Sequence, residues 1–387
     1  MRRVLIIQRV LPHYRLPFFE RLDAELERRD IRLCVAYGQE QPGTVPRTVA
    51  TEARWARRIR NTYASLLGTE AVWQGVPSEL LEADLVVIEH ATRLLRNYAL
   101  ITQRRFGSRR LAFWGHGTNL QQSSAQPARD ALRGWLMRQV DWWFAYTELS
   151  GQLVAASGFP ASRTTVVNNT IDTGELLRAR AACSQRELDE LRSRLGITGR
   201  HVAVYCGGLY AHKRLPFLLD ACIKVRAAVQ DFEVVFVGDG PDAARVEAAA
   251  RCHPWIHYVG PQFGAARVPY FLLANAMLMP GLVGLAIVDS FALCTPLVTT
   301  SMQGHSPEIA YLQAGRNGLM TVDDVESFAA GVVAVLTDAA LNARLRSGCE
   351  ESTSVLTLDA MAQRFARGVA ECLDTCGRRA AEFAQTA

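Results

Sequence analysis

Short apolar runs recur along the chain, and the segments between them carry apolar residues at helical spacing. The runs are VLIIQ (4–8), LVVIEH (85–90), LAFWGHG (111–117), WWFAYT (142–147), TTVVNN (164–169), HVAVYC (201–206), EVVFVGDG (233–240), IHYVG (256–260), AMLMPG (276–281) and PLVTTS (296–301). Such runs, alternating with helices, predict an α/β fold of parallel sheets covered on both faces. Their number exceeds one small sheet and falls into two series. Between the series lies a polar helical stretch, 170–200, ending in a glycine turn and expected to act as a hinge. The pattern predicts two doubly wound domains facing each other across a cleft: residues 1–172, joined by a terminal helical segment 359–387, and residues 173–358. The terminal pattern LDAMAQRFARGVAECLDTC (358–376) reads as an amphipathic helix.

Composition narrows this picture. The 387 residues are 49% hydrophobic and 21% charged, as in a globular protein with full cores. No run of about 18 uninterrupted apolar residues occurs. The start, MRRVLIIQRVLPHYR, loses its apolar run at Arg9 and Pro12 with no small-residue cleavage site after it, so a cytoplasmic location is expected. The nine cysteines form no CxxC pair and read as buried or free thiols, Cys372 and Cys376 included. The net charge of +5 is uneven: residues 1–170 hold 23 arginines against 15 acids. RLLRNYALITQRRFGSRR (93–110) interleaves Arg93, Arg96, Arg104, Arg105, Arg109 and Arg110 with Leu94, Leu95, Leu100, Ile101 and Phe106. That composition fits either a peripheral element on an anionic membrane or a solvated arginine face. No recognised nucleic-acid module surrounds it.

Candidate chemistry starts with lysine, because Lys213 and Lys224 are the only two in the chain. Lys213 stands in GGLYAHKR, between the run 201–206 and the helical pattern from Leu215. In a strand–glycine turn–cation–helix arrangement, Gly207 and Gly208 let backbone approach an anion, and Lys213 and Arg214 supply charge suited to a diphosphate. A solvated lysine there would oppose the helix dipole; Lys224 reads as an ordinary exposed residue. Ligands of open α/β sheets bind beyond the carboxyl ends of strands. His116, between two glycines, Asn169 with Asp172, and Gly238 with Gly240 fall at such ends. A packed histidine, Asx turns and a tight turn account for the same patterns. In the segment 279–309, the helix after Gly284 and Leu285 can offer backbone N–H groups to a phosphate, and Asp289 can accept from ribose hydroxyls. An acid in so apolar a helix calls for a partner.

In order along nearly the whole chain, LPHYRLPFF, FWGHGTN, YTELS with VVNNTID, GGLYAHKR, FVGDGP, PGLVGLAIVDSFALCTPLVTT and SPEI with GRNGL resemble the retaining GT-B glycosyltransferases of the GT4 family (glycosyl transferases group 1). The resemblance implies two Rossmann-like domains, the second binding a UDP- or GDP-sugar. It puts Lys213 on the phosphates, Glu308 and Asp289 near donor groups, and Gly284 and Leu285 in backbone contact. His116 goes to the sugar or phosphate side of the cleft, and His13, Arg15 and Asn169 to the acceptor side. Implied too are transfer to a polysaccharide or glycolipid hydroxyl, with retention. No cofactor or metal is expected, since no DxD pair ends a strand. Two positions depart from the family: its paired glutamates are here Gly281 and Asp289, and an arginine of the phosphate loop is Gly208. A non-catalytic nucleotide-sugar-binding partner with the same fold is the alternative.

Overall fold

The computed structural model describes residues 1–43, 48–66, 69–104, 109–117 and 127–385. They form two compact units, one of residues 1–171 with 358 onward, the other 172–357. The first unit runs β1 (Arg2–Gln8), α1 (Leu16–Glu27), β2 (Ile31–Tyr37), β3 (Ala56–Arg58), β4 (Arg60–Leu66), β5 (Thr69–Gly75), β6 (Leu85–Glu89), α2 (Leu95–Arg104), β7 (Arg110–Gly115), α3 (Pro127–Met137), β8 (Trp142–Ala145), α4 (Glu148–Ala156) and β9 (Thr164–Val166). Its main sheet is parallel throughout, in the order β3-β2-β1-β6-β7-β8-β9, and β4 and β5 form an antiparallel hairpin. Strand β1 is an interior strand, and Val4 to Ile7 are all buried, Val4 and Ile6 on one face and Leu5 and Ile7 on the other.

The second unit runs α5 (Gly174–Ala182), α6 (Gln185–Leu195), β10 (His201–Cys206), α7 (Leu215–Ala228), β11 (Phe232–Val237), α8 (Ala243–Cys252), β12 (Ile256–Tyr258), α9 (Val268–Leu272), β13 (Ala276–Leu278), α10 (Ala286–Ala292), β14 (Leu297–Thr300), β15 (Gly318–Thr321), α11 (Val325–Thr337) and α12 (Ala339–Val355). The sheet β12-β11-β10-β13-β14-β15 is also parallel. The last helix, α13 (Leu358–Gln385), packs in the first unit. There Phe365 stacks on Phe144 at 4.1 Å and meets Trp114 edge-on at 5.1 Å.

One expectation needs correcting. The stretch 174–195 is no free hinge: α6 has a Ser184–Glu187 capping box and a left-handed Gly196 at its end. Glu175 accepts the Ala265 N–H and Arg180 pairs with Glu350, tying α5 to the second unit. Strand β2 escaped the apolar-run reading because Arg32 interrupts it, and β3, the hairpin and β15 are short or polar. In the arginine-rich stretch, Leu94, Leu100 and Ile101 are core residues of α2 and its approach, whereas Leu95 is 39% exposed. Arg104 forks onto Asp141, and Arg110 donates to the Leu373 carbonyl. Arg105 and Phe106 lie outside the described residues. Among the described residues no single helix is long and apolar enough to cross a membrane.

Candidate functional site

In the second unit, chemistry gathers beyond the carboxyl ends of β10, β11, β13 and β14. Lys213 follows β10 on a short turn and is only 6% exposed. Its ammonium donates to the Leu282 carbonyl at 2.5 Å and approaches Met279 Sδ at 3.5 Å, with the Tyr210 ring 5.7 Å away. No carboxylate pairs with it among the described residues. Burial pulls its pKa down to about 8. A solvated surface lysine is thereby excluded; Lys224, exposed and paired with Glu326 at 2.8 Å, is one.

Arg214 is engaged differently from Lys213. Its backbone takes the left-handed conformation at φ 56°, and its guanidinium pairs with Asp323 and lies over Phe217. The glycines of the neighbouring turns answer to one another. A Cβ on Gly238 would fall 1.9 Å from the Gly207 oxygen, and one on Gly240 would fall 2.3 Å from the Leu209 oxygen. Gly208 follows in the same turn, its carbonyl accepting from the Tyr205 hydroxyl at 2.7 Å.

Position 281 has no room for a side chain. A Cβ there would stand 2.4 Å from the His212 oxygen and 2.5 Å from the Lys213 carbonyl carbon. The Lys213 segment thus crosses where a glutamate side chain would have to begin. The Leu282 N–H donates to the same His212 oxygen at 2.8 Å. This loop is strapped from the other side by His305, which sequence reasoning passed over. His305 Nδ1 accepts the Val283 N–H at 3.1 Å, and Nε2 lies 2.9 Å from the Thr300 carbonyl. These bonds require a neutral imidazole protonated at Nε2, and burial keeps its pKa low. Gly284 and Leu285 lead directly into α10, which no side chain caps. Glu308 is buried on the turn Pro307–Tyr311.

Asp289 on α10 has the partner its setting demanded. Arg267 meets it with both terminal nitrogens, each at 2.8 Å. Burial still outweighs this cation and raises the Asp289 pKa to about 6. Arg267 lies 22 residues away in sequence, outside any segment the motifs cover. Cys206, at the end of β10, is pushed up to about 12 by burial and by the Asp289 charge.

In the first unit, Tyr146 connects the residues that the sequence singled out. His116, exposed at the end of β7, lies 4.3 Å ring to ring from Tyr146. The Asn169 N–H donates to the Tyr146 carbonyl at 2.7 Å, and the Arg15 guanidinium lies 5.6 Å from the ring. Arg15 is buried, whereas His13 on the same short turn is exposed beside Tyr14. Among the described residues, no three His, Cys, Asp or Glu side chains converge to hold a metal ion.

Residues 200–338 match the family model described as Glycosyl transferases group 1, a span from β10 through α11. No curated protein sequence matches the chain significantly. The fold is that of solved structures with little sequence likeness. HepE of Anabaena, in complex with UDP, matches with a TM-score of 0.66 at 16% identity, over 96% of this chain and 100% of that one. A glycosyltransferase from Rickettsia africae gives 0.69 at 10% identity, over 96% and 99%. Sucrose-phosphate synthase from Thermosynechococcus elongatus gives 0.65 at 14%, again over 96% and 99%. The fold is therefore GT-B, with two Rossmann-like domains.

Proposed function

We propose that the protein is a glycosyltransferase that moves a sugar from a UDP- or GDP-sugar to a hydroxyl of a polysaccharide or glycolipid, with retention of configuration. The observation that carries this reading is Lys213: a buried cation with no carboxylate partner among the described residues, beside glycine turns at the end of a parallel sheet. Holding a charge in that setting is costly unless an anion arrives to meet it. A diphosphate has the charge and the donor-hungry oxygens to do so. Support comes from the group 1 match over this same unit and from HepE, whose structures hold UDP and UDP-glucose.

In this mechanism Lys213 binds the donor diphosphate and stabilises the charge that builds on it as the glycosidic bond breaks. Glu308 and the Gly284–Leu285 backbone hold donor groups, and Asp289, fixed by Arg267, keeps α10 in place. His116 acts on the transferring sugar. With glycine at 281, no acid reaches the sugar from that loop, so donor choice rests on other contacts. Attachment to an anionic membrane on the cytoplasmic side would rest on the arginine charge of the first unit, with Leu95 of α2 exposed beside it.

Titration calorimetry with UDP and GDP tests the reading. Lys213→Ala should weaken nucleotide binding by roughly 2–4 kcal/mol, the scale for losing one charge-assisted contact, with Lys224→Ala unchanged. Equal affinities in the two variants would remove Lys213 from the diphosphate. Release of UDP or GDP from a nucleotide sugar in the presence of a lipid extract separates a transferase from a non-catalytic binder, which would bind without turnover.

A further inference from the structure

The first unit contains a cavity of about 490 Å³ beyond the carboxyl ends of β1 and β6, bordered by Arg9, Arg15, Arg93, Glu40, Glu70, Glu89, Tyr14 and Tyr146. Its arginines are not equivalent. Arg93 pairs with Glu70 at 3.1 Å, and Arg9 reaches the same carboxylate at 3.9 Å. Glu40 accepts from the Thr48 N–H at 2.5 Å and hydroxyl at 2.8 Å, and Glu89 accepts the Arg9 backbone N–H at 3.1 Å. Burial raises the Glu89 pKa against the pull of the three arginines, which weakens it as a counter-charge. None of these acids pairs with Arg15.

Arg15 is 5% exposed and is held by aromatic faces instead. Its guanidinium carbon lies 4.9 Å from the Trp114 ring, 5.5 Å from Tyr14 and 5.6 Å from Tyr146. Such stacking satisfies the face of the guanidinium and leaves its edge to be met in the plane. At that edge, Nη1 is buried with no hydrogen-bond partner, and the Trp114 indole N–H is also without one. A buried planar donor fork with its faces covered is the geometry that a carboxylate or phosphate meets with parallel hydrogen bonds.

We infer that this cavity receives an acidic sugar of the acceptor, with the carboxylate or phosphate of that sugar seated on Arg15 and its ring beside Tyr14 and Tyr146. The inference rests on the reading of the protein as a glycosyltransferase whose first unit handles the acceptor, and it narrows that acceptor to an anionic glycan. Glu40 and Glu70 are engaged by Thr48 and by Arg93 with Arg9, so Arg15 supplies the selection for charge.

The test titrates the full chain with glucuronate, glucose 6-phosphate and glucose, and in parallel with UDP. Wild-type protein should bind at least one charged sugar roughly ten- to hundredfold tighter than glucose, the range for one charge-assisted contact. The arm that binds tells a carboxylate from a phosphate. Arg15→Gln should bring the charged sugar to the level of glucose, and Arg15→Lys should keep only part of the preference, because a point charge lacks the fork. Equal binding of glucose and both charged sugars by the wild type overturns the inference and needs no variant. So does a preference that survives in a folded Arg15→Gln protein. UDP binding without a charged-sugar preference leaves the donor reading standing and sinks this one; a charged-sugar preference without UDP binding does the reverse.

Discussion

Among the described residues each unit buries one cation near the carboxyl end of its parallel sheet, and the two are buried by different means. Lys213 is enclosed by a carbonyl and a thioether, and desolvation brings its pKa down to about 8. Arg15 is enclosed by three aromatic rings. A lysine ammonium can give up its proton when water is removed; a guanidinium in a protein cannot. The second unit therefore holds a charge that pH can tune, and the first holds one that is fixed. The acids differ as well. Asp289 is locked by Arg267, whereas the acids around Arg15 are engaged elsewhere.

The strongest way to break this contrast is to unlock Asp289. Arg267→Gln leaves a buried carboxyl without its cation and should cost about 3–5 kcal/mol at pH 7. The Asp289 pKa is raised in the fold, so the ionised form is the unfavourable one; stability from this group is present below the unfolded value and lost as pH rises through about 6. The deficit of the variant, read by urea denaturation, should shrink toward pH 4. A deficit that does not change with pH would mean that Arg267 acts through packing.

Lys213→Met comes next and should raise stability by about 3 kcal/mol at neutral pH, from a shift of two to three units at about 1.4 kcal/mol each. Here the folded pKa is depressed, so the protonated form is penalised below about 8 and the penalty disappears above the ordinary 10.5. The gain should fade over that window while nucleotide affinity is lost. A variant less stable than the wild type at pH 7 would contradict an uncompensated Lys213.

Gly281→Ala should cost roughly 1–3 kcal/mol, the scale of overpacking, since backbone rather than a side-chain tip stands in the way. Gly281→Glu, though it introduces the acid found in the family the chain resembles, should bind UDP more weakly than the wild type. Tighter binding would show that the crossing of Lys213 over residue 281 is adjustable.

The smallest effect belongs to His305. Its pKa is lowered by burial, so its contribution is present above the ordinary 6.5 and lost as pH falls through its folded value. His305→Gln should remove about 1 kcal/mol of acid-side decline in stability, measured as the difference between the two proteins. Identical curves would leave the Val283 strap without weight.

Much of this was legible in the sequence. The apolar runs located ten strands, because parallel strands buried on both faces need continuous hydrophobic stretches. Lys213 stood out because the chain scarcely uses lysine. Asp289 called for a partner, but periodicity could not name Arg267, since that pairing depends on where the turn before α9 falls in space. The glycine at 281 read as a missing acid, and only the fold reveals the backbone that excludes one. The stretch 93–110 stayed ambiguous because interleaved arginine and leucine describe both a membrane-surface helix and a helix packed on a sheet; Leu94, Leu100 and Ile101 are internal, and Leu95 is exposed.

The return of α13 to the first unit bears on how the chain matures during synthesis. Phe365 inserts among Phe18, Trp114 and Phe144, so the earlier-made unit has a gap in its core until residues far beyond its own last strand emerge. The second unit, continuous from 172 to 357, has all its strands beforehand. Synthesis usually completes domains from the amino terminus onward; here the last helix of the first unit is made after the whole of the second. A chain halted at Thr357 would display the apolar seam that Phe365 and Val369 cover, a mark by which quality control could tell unfinished copies from finished ones.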